Sequence, residues 1–255
     1  MPETDVTRAE VCAVACAQAW RGDGEVMASP FGTVPQIGAR LARLTFEPDL
    51  VLTDGEAALM ANTPSLSSAR HEHVLEAWMP YRRVFDVVWS GRRHIMMMAS
   101  QVDRFGNQNL SAIGDWARPK AQLIGVRGAP GNSLNHATSY WVPAHTPRSF
   151  VEHVDMVCGV GYDRAAAAGP SATRFHDLRV VVSNLGVFDF ETADHNMRLR
   201  SVHPGVDLEE VVDCTGFELA LPEPVPVTAL PSAEELELIR EVLDPTSLRD
   251  KEIAS

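Results

Sequence analysis

Two polar segments of the sequence contain groups that could bind a carbonyl oxygen or the anion formed from it. The first, residues 101–109 with the sequence QVDRFGNQN, places Gln101, Asp103, Asn107 and Asn109 directly after an apolar run. Amide side chains donate and accept hydrogen bonds without transferring a proton, so this composition favours holding carbonyl groups over acid–base catalysis. The alternative is a turn in which Asn and Asp side chains bind their own backbone. The sequence leaves both interpretations open.

The second segment, residues 125–132, is rich in glycine and has the sequence GVRGAPGN. Glycines let a backbone approach a ligand closely, and successive N–H groups that point the same way form an anion-binding concavity. The segment matches neither the P-loop nor the dinucleotide-binding glycine pattern. A purely structural turn is the alternative. The candidates for ligand binding in the two segments are Gly128, Gly131, Asn132, Asn109 and Asp103.

Two carboxylates, Asp54 and Glu56, follow the apolar segment 50–53 and are candidates for acid–base or nucleophilic chemistry. Solvated turn carboxylates are the alternative. The pair His71 and His73 lacks a third ligand at a suitable spacing, so no metal site is predicted. The catalytic candidates on the whole chain are Gln101, Asn107, Asp54 and Glu56.

The elements that would position these residues alternate between helices and strands. Helices are predicted at residues 7–21, where Thr7 and Glu10 have the spacing of a capping box, and at 34–44, 81–90, 208–212 and 232–243. Strands are predicted at residues 25–28, 50–53, 94–99, 121–125, 150–157, 179–183 and 186–190, and a surface turn at 165–169. The alternation predicts an α/β fold with a mostly parallel open sheet covered by helices. We expect a single domain over residues 1–255, with 222–255 as a C-terminal extended segment and helix.

The composition limits the possible partners. The chain has 255 residues, of which 45% are hydrophobic, enough for a full core. Its formal net charge of −12 argues against nucleic acid as a partner, because binding a phosphate backbone requires a basic surface. No apolar stretch approaches the length of a membrane helix, and the N-terminus has no signal-peptide pattern, so we expect a cytoplasmic protein without a membrane partner. The four cysteines are expected to be reduced and packed.

Five segments, taken in order, resemble the β subunit of class I CoA transferases of the glutaconate and 3-oxoacid type. They are residues 51–56, 101–109, 128–131, 182–189 and 203–216. The resemblance covers most of the chain, from about residue 25 to about residue 220. It implies the fold of that family, an acyl-CoA substrate without a further cofactor, and an α2β2 assembly with a CoA-transferase-like α subunit.

One of these segments departs from the transferase pattern. In the transferases a β-subunit glutamate attacks the thioester and carries CoA, whereas the equivalent position in this sequence is Asp54. An aspartate is one methylene shorter, and a shift of about 1 Å in a nucleophile can reduce the rate on the order of a hundredfold. The sequence Thr53-Asp54-Gly55-Glu56 makes the chain most similar to the β subunit of an actinobacterial CoA-dependent hydrolase that opens the last steroid ring in cholesterol breakdown.

That resemblance implies hydrolytic cleavage of a carbon–carbon bond in a cyclic β-diketone joined to CoA. Such a reaction needs oxyanion donors and one general base, and the base can lie on the α subunit. One alternative is a CoA transferase subunit that moves CoA between carboxylic acids through Asp54 or Glu56. A second alternative is a non-catalytic chain that stabilises an α subunit.

Overall fold

The computed structural model describes residues 6–55 and 57–253, so the catalytic candidate Glu56 lies outside the described residues. The α-helices are α1 Arg8–Gln18, α2 Thr33–Thr45, α3 Arg83–Ser90, α4 Ala129–Asn135, α5 Tyr162–Ala168, α6 Pro170–Thr173, α7 Leu208–Asp213 and α8 Ala233–Glu237. A π-helical turn, Leu238–Leu243, continues α8, and 3-10 turns span Arg70–Glu72 and Leu248–Lys251. The strands are β1 Met27–Pro30, β2 Leu52–Thr53, β3 Ala58–Met60, β4 Leu75–Trp78, β5 Arg93–Met98, β6 Gln101–Val102, β7 Gln108–Asn109, β8 Ala112–Ile113, β9 Ala121–Gln122, β10 Ala137–Val142, β11 Asp177–Ser183, β12 Gly186–Asp189 and β13 Arg198–Val202.

The central sheet has six strands in the order β1-β5-β10-β11-β12-β13. The first four are parallel to one another, and β12 and β13 add an antiparallel extension. β2 starts beside β1, where Met27 and Val51 form a parallel bridge, and then joins β3 and β4 in a small antiparallel sheet. The predicted α/β fold with a mostly parallel sheet is therefore confirmed.

Two apolar layers cover the two faces of the central sheet. Successive residues of a strand point to opposite faces, so neighbours in the sequence enter different layers. Met96 and Trp141 pack on the side that α1 and α2 cover. Ile95 and Tyr140 pack on the other side, in a layer that contains Phe150. The two layers together form the core of the protein.

A reciprocal cap begins α1 and connects it to the C-terminal segment. The Thr7 hydroxyl accepts a hydrogen bond from the Glu10 backbone N–H at 3.3 Å, and the Thr7 backbone N–H donates to Glu10 Oε2 at 2.9 Å. The buried Glu10 carboxylate also forms ion pairs with Arg240 and Arg249. The predicted capping box is confirmed, and its glutamate holds the C-terminal turns against the core.

The contact between α1 and α2 requires a glycine. A Cβ at Gly38 would lie 2.8 Å from Cys16 Cβ and 2.9 Å from the Ala17 backbone nitrogen, closer than real side chains approach. The two helices therefore touch through backbone at this point. The cysteines are unpaired, as predicted; all are buried except Cys214, which is half-buried.

Two predicted strands are wrong. In place of a buried strand at 121–125, the chain forms the two-residue strand β9, whose residues are exposed because it pairs only with β8 in a surface hairpin. Residues 150–157 form no strand beyond one bridge between Phe150 and Val102. Beyond these pairings each run is loop, because no further strand lies beside it to form a ladder.

Other differences concern one strand and two helices. The fully buried strand β10, with the sequence ATSYWV, was not predicted because polar Thr138 and Ser139 interrupt its apolar run. The predicted surface turn at 165–169 lies mostly in α5, whose alanines favour helix. The predicted glycine-rich turn continues into α4.

Candidate functional site

The predicted polar segment 101–109 forms a buried hairpin made by β6 and β7. Gln101 and Asn109 face each other across it, and Asn109 Nδ2 donates to Gln101 Oε1 at 2.7 Å. Gln101 also exchanges two hydrogen bonds of 3.0 Å with Asp155, one to the carboxylate and one from the backbone N–H. The structure thus brings these two predicted residues together and fixes both amides.

The tip of the same hairpin holds Asp103 and Asn107. Asp103 Oδ1 accepts from the backbone N–H groups of Phe105 and Asn107, at 3.1 Å and 3.0 Å. Asn107 Nδ2 donates to Asp103 Oδ2 at 3.0 Å and to Asp163 at 2.8 Å, and its Oδ1 accepts from Gly161 N at 2.8 Å. Burial raises the pKa of Asp103 to about 6, against the lowering effect of these hydrogen bonds.

These hydrogen bonds bear on the predicted use of the amides, and a catalytic role of Gln101 and Asn107 stays a prediction. Gln101, Asn107 and Asn109 are at most 6% exposed, and their amide groups already bind protein partners. A substrate carbonyl could reach them only after an internal bond had broken, which costs about 1–3 kcal/mol for a buried polar group. The geometry therefore favours the structural alternative, in which the hairpin is a rigid wall. Direct binding by Asn109 and Asp103 stays a prediction.

The glycine-rich segment differs in the same way from an open anion-binding turn. Gly128 is the N-cap of α4, and Gly131 and Asn132 lie inside that helix. Asn132 is buried and points inward, where its Oδ1 accepts from Arg93 Nη1 at 2.9 Å. Its side chain therefore serves an interior contact, and substrate binding by Gly128 and Gly131 stays a prediction.

Asp54 lies in a tight turn at the C-terminal end of β2. Its Oδ1 accepts from the backbone N–H groups of Ala57 and Ala58, both at 3.0 Å, and its own N–H donates to Ala58 O at 3.1 Å. The residue is half-buried. The carboxylate thus closes the turn between β2 and β3, at the strand end where the family resemblance predicts chemistry.

A buried hydrogen-bond network that the sequence did not suggest links β5, β10 and the loop that follows α1. His94 Nδ1 lies 2.7 Å from Asp23 Oδ2, and His94 Nε2 lies 2.9 Å from Ser139 Oγ. The order of groups is that of a Ser-His-Asp triad, but Ser139 and His94 are completely buried, so no substrate can reach the hydroxyl. This hydrogen-bond network is therefore structural. No sequence motif could have revealed it, because its members lie on three separate elements.

An exposed apolar surface, here named the aromatic face, extends along β4 and α3. Trp78 is 77% exposed, Tyr81 74% and Trp89 69%. All of β4 is exposed, and Val88 is the one buried residue of α3. Exposed apolar side chains in such numbers are typical of a protein interface or a ligand groove. The aromatic face consists of Val74, Leu75, Trp78, Tyr81, Phe85 and Trp89.

The described ranges contain neither a metal-binding cluster nor a membrane-spanning helix. Among residues 6–55 and 57–253, no group of three or more His, Cys, Asp or Glu side chains is arranged to hold a metal ion. None of the helices in the same ranges has the length and apolar character needed to span a bilayer.

Comparisons with known sequences identify relatives that match the chain from end to end. No protein-family model matches. The IpdB subunit of the cholesterol ring-cleaving hydrolase from Rhodococcus jostii is 59% identical over 251 residues, covering 98% of each chain. The IpdB subunit from Mycobacterium bovis is 56% identical over 249 residues, covering 98% of this chain and 99% of that one.

Solved structures agree with the sequence relatives. The crystal structure of Rhodococcus jostii IpdAB superposes with a TM-score of 0.94 at 58% identity, covering 99% of this chain and 100% of that chain. Glutaconate coenzyme A-transferase from Acidaminococcus fermentans gives a TM-score of 0.82 at 23% identity, covering 96% of this chain and 97% of that chain, which shows the shared fold. Since the highest identities extend over nearly the whole of both chains, this chain belongs to the IpdB family of cholesterol ring-cleaving hydrolase subunits and has the CoA-transferase fold.

Proposed function

We propose that this chain is the β subunit of a heteromeric hydrolase that cleaves a carbon–carbon bond in a cyclic β-diketone-type CoA thioester during cholesterol ring degradation. The observation that carries the proposal is the 59% identity, over 98% of each chain, to a subunit named for cholesterol ring cleavage. The CoA thioester follows from the resemblance to CoA transferases. The proposal includes no cofactor besides the CoA of the substrate.

The proposed reaction consumes one water molecule. Water adds to a ring carbonyl carbon, and the bond from that carbon to the neighbouring α-carbon breaks. The water oxygen remains in the new carboxylate, the electron pair leaves with the α-carbon as an enolate, and a proton then completes the C–H bond. This sequence needs a general base and hydrogen-bond donors for the developing oxyanions. It needs no covalent carrier of CoA.

The turn around Asp54 supports a mechanism without such a carrier. A transferase nucleophile must reach the thioester carbon, whereas Asp54 Oδ1 is held by two backbone N–H groups at 3.0 Å. We propose that Asp54 shapes the turn that borders the substrate, and we keep Glu56 as a catalytic candidate. The buried hairpin 101–109 supports the pocket wall from behind, through Gln101 and Asn107.

The aromatic face supports a site completed by an α subunit. Trp78 and Trp89 are large apolar side chains, and leaving them in water is unfavourable by about 25 cal/mol for each Å² of apolar surface. The related protein from Rhodococcus jostii was crystallised as IpdAB, a name that combines two subunits. We propose that an α subunit covers this face in an α2β2 assembly and supplies the general base.

Two further points are part of the proposal. We propose that residues 1–255 fold as one domain, in which residues 222–255 form the C-terminal extended segment and helix. The bonds from Glu10 to Arg240 and Arg249 support this, because they join the C-terminal turns to the first helix. We also propose a cytoplasmic location, where CoA thioesters are formed and consumed.

Turnover by the α-coexpressed complex in H₂¹⁸O tests the function. The expected product contains one ¹⁸O in its new carboxylate. Asp54→Asn keeps an oxygen that can accept the Ala57 and Ala58 N–H bonds, so we expect it to retain ring cleavage, whereas Asp54→Ala loses the turn. The transferase alternative would be supported if the wild-type complex failed to cleave the ring. It would also be supported if the complex exchanged CoA between acids and Asp54→Asn abolished that exchange.

The third possibility, a non-catalytic partner, has its own test. Asp54→Ala should lower turnover while the complex still elutes intact on gel filtration. A complex of unchanged size and unchanged turnover for both Asp54→Ala and Asn107→Ala would show that this chain only stabilises its partner.

A further inference from the structure

A pocket of about 350 Å³ opens at the N-terminal ends of the parallel strands β5, β10 and β11. Arg93, Ala137 and Asp177 are the first residues of those strands and line it. This is the end of the sheet opposite to the strand end that Asp54 follows. Further lining residues, from the connecting loops and helices, include Asp23, His136, Arg174 and Arg179.

The floor of the pocket contains a buried cation without an acidic partner. Arg93 is 9% exposed, and its side-chain hydrogen bonds go to neutral groups: Nε donates to Ser29 Oγ at 2.8 Å and Nη1 to Asn132 Oδ1 at 2.9 Å. Among the described residues no carboxylate lies within ion-pair distance of it. A guanidinium has five N–H groups, so these two bonds leave donors for a ligand. Burial lowers the pKa of Arg93 to about 10.

The two acidic residues of the pocket, Asp23 and Asp177, share the cation Arg179, so three arginines face two carboxylates. Asp23 binds His94 through Oδ2 and Arg179 through Oδ1. Asp177 Oδ2 lies 2.8 Å from Arg179 Nε. These pairs leave Arg93 at the floor and the exposed Arg174 at the rim as positive charges without a carboxylate partner in the described chain. The pocket therefore has a positive potential although the whole protein has a net charge of −12.

We propose that this pocket binds a phosphate-type oxyanion, which Arg93 contacts at the buried end of the pocket and Arg174 at its exposed rim. A guanidinium presents parallel N–H groups that match two phosphate oxygens, and such charge-assisted pairs are about twice as strong as neutral hydrogen bonds. The bound anion supplies the negatively charged partner that Arg93 lacks among the described residues. The site does not depend on the proposed hydrolase reaction, because none of its residues belongs to the Asp54 turn.

The test is calorimetric titration of the α-coexpressed complex with inorganic phosphate, at constant ionic strength maintained with chloride. We expect saturable binding by the wild type, at least about tenfold weaker binding by Arg93→Met, and unchanged binding by Arg148→Met, which removes an exposed arginine outside the pocket. Because Arg93→Met removes two buried contacts and could unfold the chain, Arg174→Met provides a second reading. Its side chain is exposed, and we expect a few-fold loss of affinity.

Competition assigns the source of the anion. If CoA displaces phosphate and 3′-dephospho-CoA does not, the ligand is the phosphate ester of CoA; if neither displaces it, the ligand is free phosphate. Either result retains the site. Absence of saturable phosphate binding to the wild type, or equal affinities for wild type, Arg93→Met and Arg174→Met, would overturn the proposal. Ring cleavage is measured separately, so failure here leaves the proposed function untouched.

Discussion

Replacing Glu10 by glutamine should destabilise the protein far more than the same change at Glu235. Both glutamates close a capping box: Glu10 Oε2 accepts from Thr7 N at 2.9 Å, and Glu235 Oε2 accepts from Ser232 N at 2.7 Å. Their environments differ, since Glu10 is completely buried and carries two ion pairs, whereas Glu235 is half-buried and forms none in the described residues. The pair therefore separates the effect of a buried ion pair from the effect of the cap.

The size of the effect follows from the contacts of Glu10. Its Oε1 lies 2.7 Å from Arg240 Nε and 3.1 Å from Arg249 Nη2, and the Arg249 side chain is only 5% exposed. Removing one charge of a buried pair costs about 3–5 kcal/mol because the other charge stays buried. We expect a loss of at least about 3 kcal/mol for Glu10→Gln and about 1 kcal/mol or less for Glu235→Gln.

The same network predicts how stability changes with pH. Burial alone would raise the pKa of Glu10, but hydrogen bonds from Arg240 and Thr7 and the charges of Arg240 and Arg249 outweigh it and hold that pKa below its usual value. A lowered folded-state pKa gives stability that is present above the unfolded value, about 4.3, and is lost as the pH falls through the folded value. Glu10→Gln should lack this loss in acid.

Urea unfolding of the purified chain, followed by circular dichroism at neutral and acidic pH, measures both effects. Equal slopes with urea would show that the variants unfold to similarly exposed states. The reasoning is refuted if Glu10→Gln and Glu235→Gln differ by less than about 1 kcal/mol at neutral pH.

Three further predictions test other parts of the account. Burial raises the pKa of Asp103 to about 6, so its contribution to stability is present below the unfolded pKa and is lost as the pH rises through 6. In urea unfolding, the free energy of unfolding of the wild type relative to Asp103→Asn should be about 1 kcal/mol higher at pH 5 than at pH 8. An equal difference between the two proteins at both pH values would contradict this. Trp78→Glu should abolish co-purification with the α subunit, whereas Leu230→Glu, which changes another exposed apolar residue, should leave it unchanged. Retained co-purification of Trp78→Glu would show that the aromatic face is not the interface. Gly38→Ala should cost about 1–3 kcal/mol through collision with α1, whereas Gly131→Ala, whose Cβ would meet nothing closer than 3.9 Å, should be neutral or slightly stabilising in thermal unfolding.

Local signals in the sequence predicted the elements that depend on local contacts. The capping box of Thr7 and Glu10 and the apolar spacing of residues 34–44 correspond to α1 and α2. β10 was missed because its burial depends on its neighbours β5 and β11, which are distant in the sequence. A buried central strand can carry Thr and Ser when neighbouring strands and side chains satisfy them, and no local pattern reports that.

The candidate site was predicted in location better than in role. The sequence placed Gln101, Asp103, Asn107 and Asn109 in one cluster, and the structure brings them together in pairs. Their hydrogen bonds to partners such as Asp155, more than 40 residues away, could not be deduced from composition. Arg93 shows the same limit, since a buried arginine without an acidic partner is a property of the packed fold.

The central claim is that this subunit takes part in hydrolysis without carrying CoA on its own carboxylate. Intact-mass spectrometry of the subunit, quenched in acid while the α-coexpressed complex turns over its ring-containing CoA thioester, tests that claim directly. The account predicts an unchanged subunit mass at every time point while ring-opened product accumulates. A mass increase corresponding to covalently attached CoA, mapped to the peptide that contains Asp54 and Glu56 and removed by hydroxylamine, would contradict it.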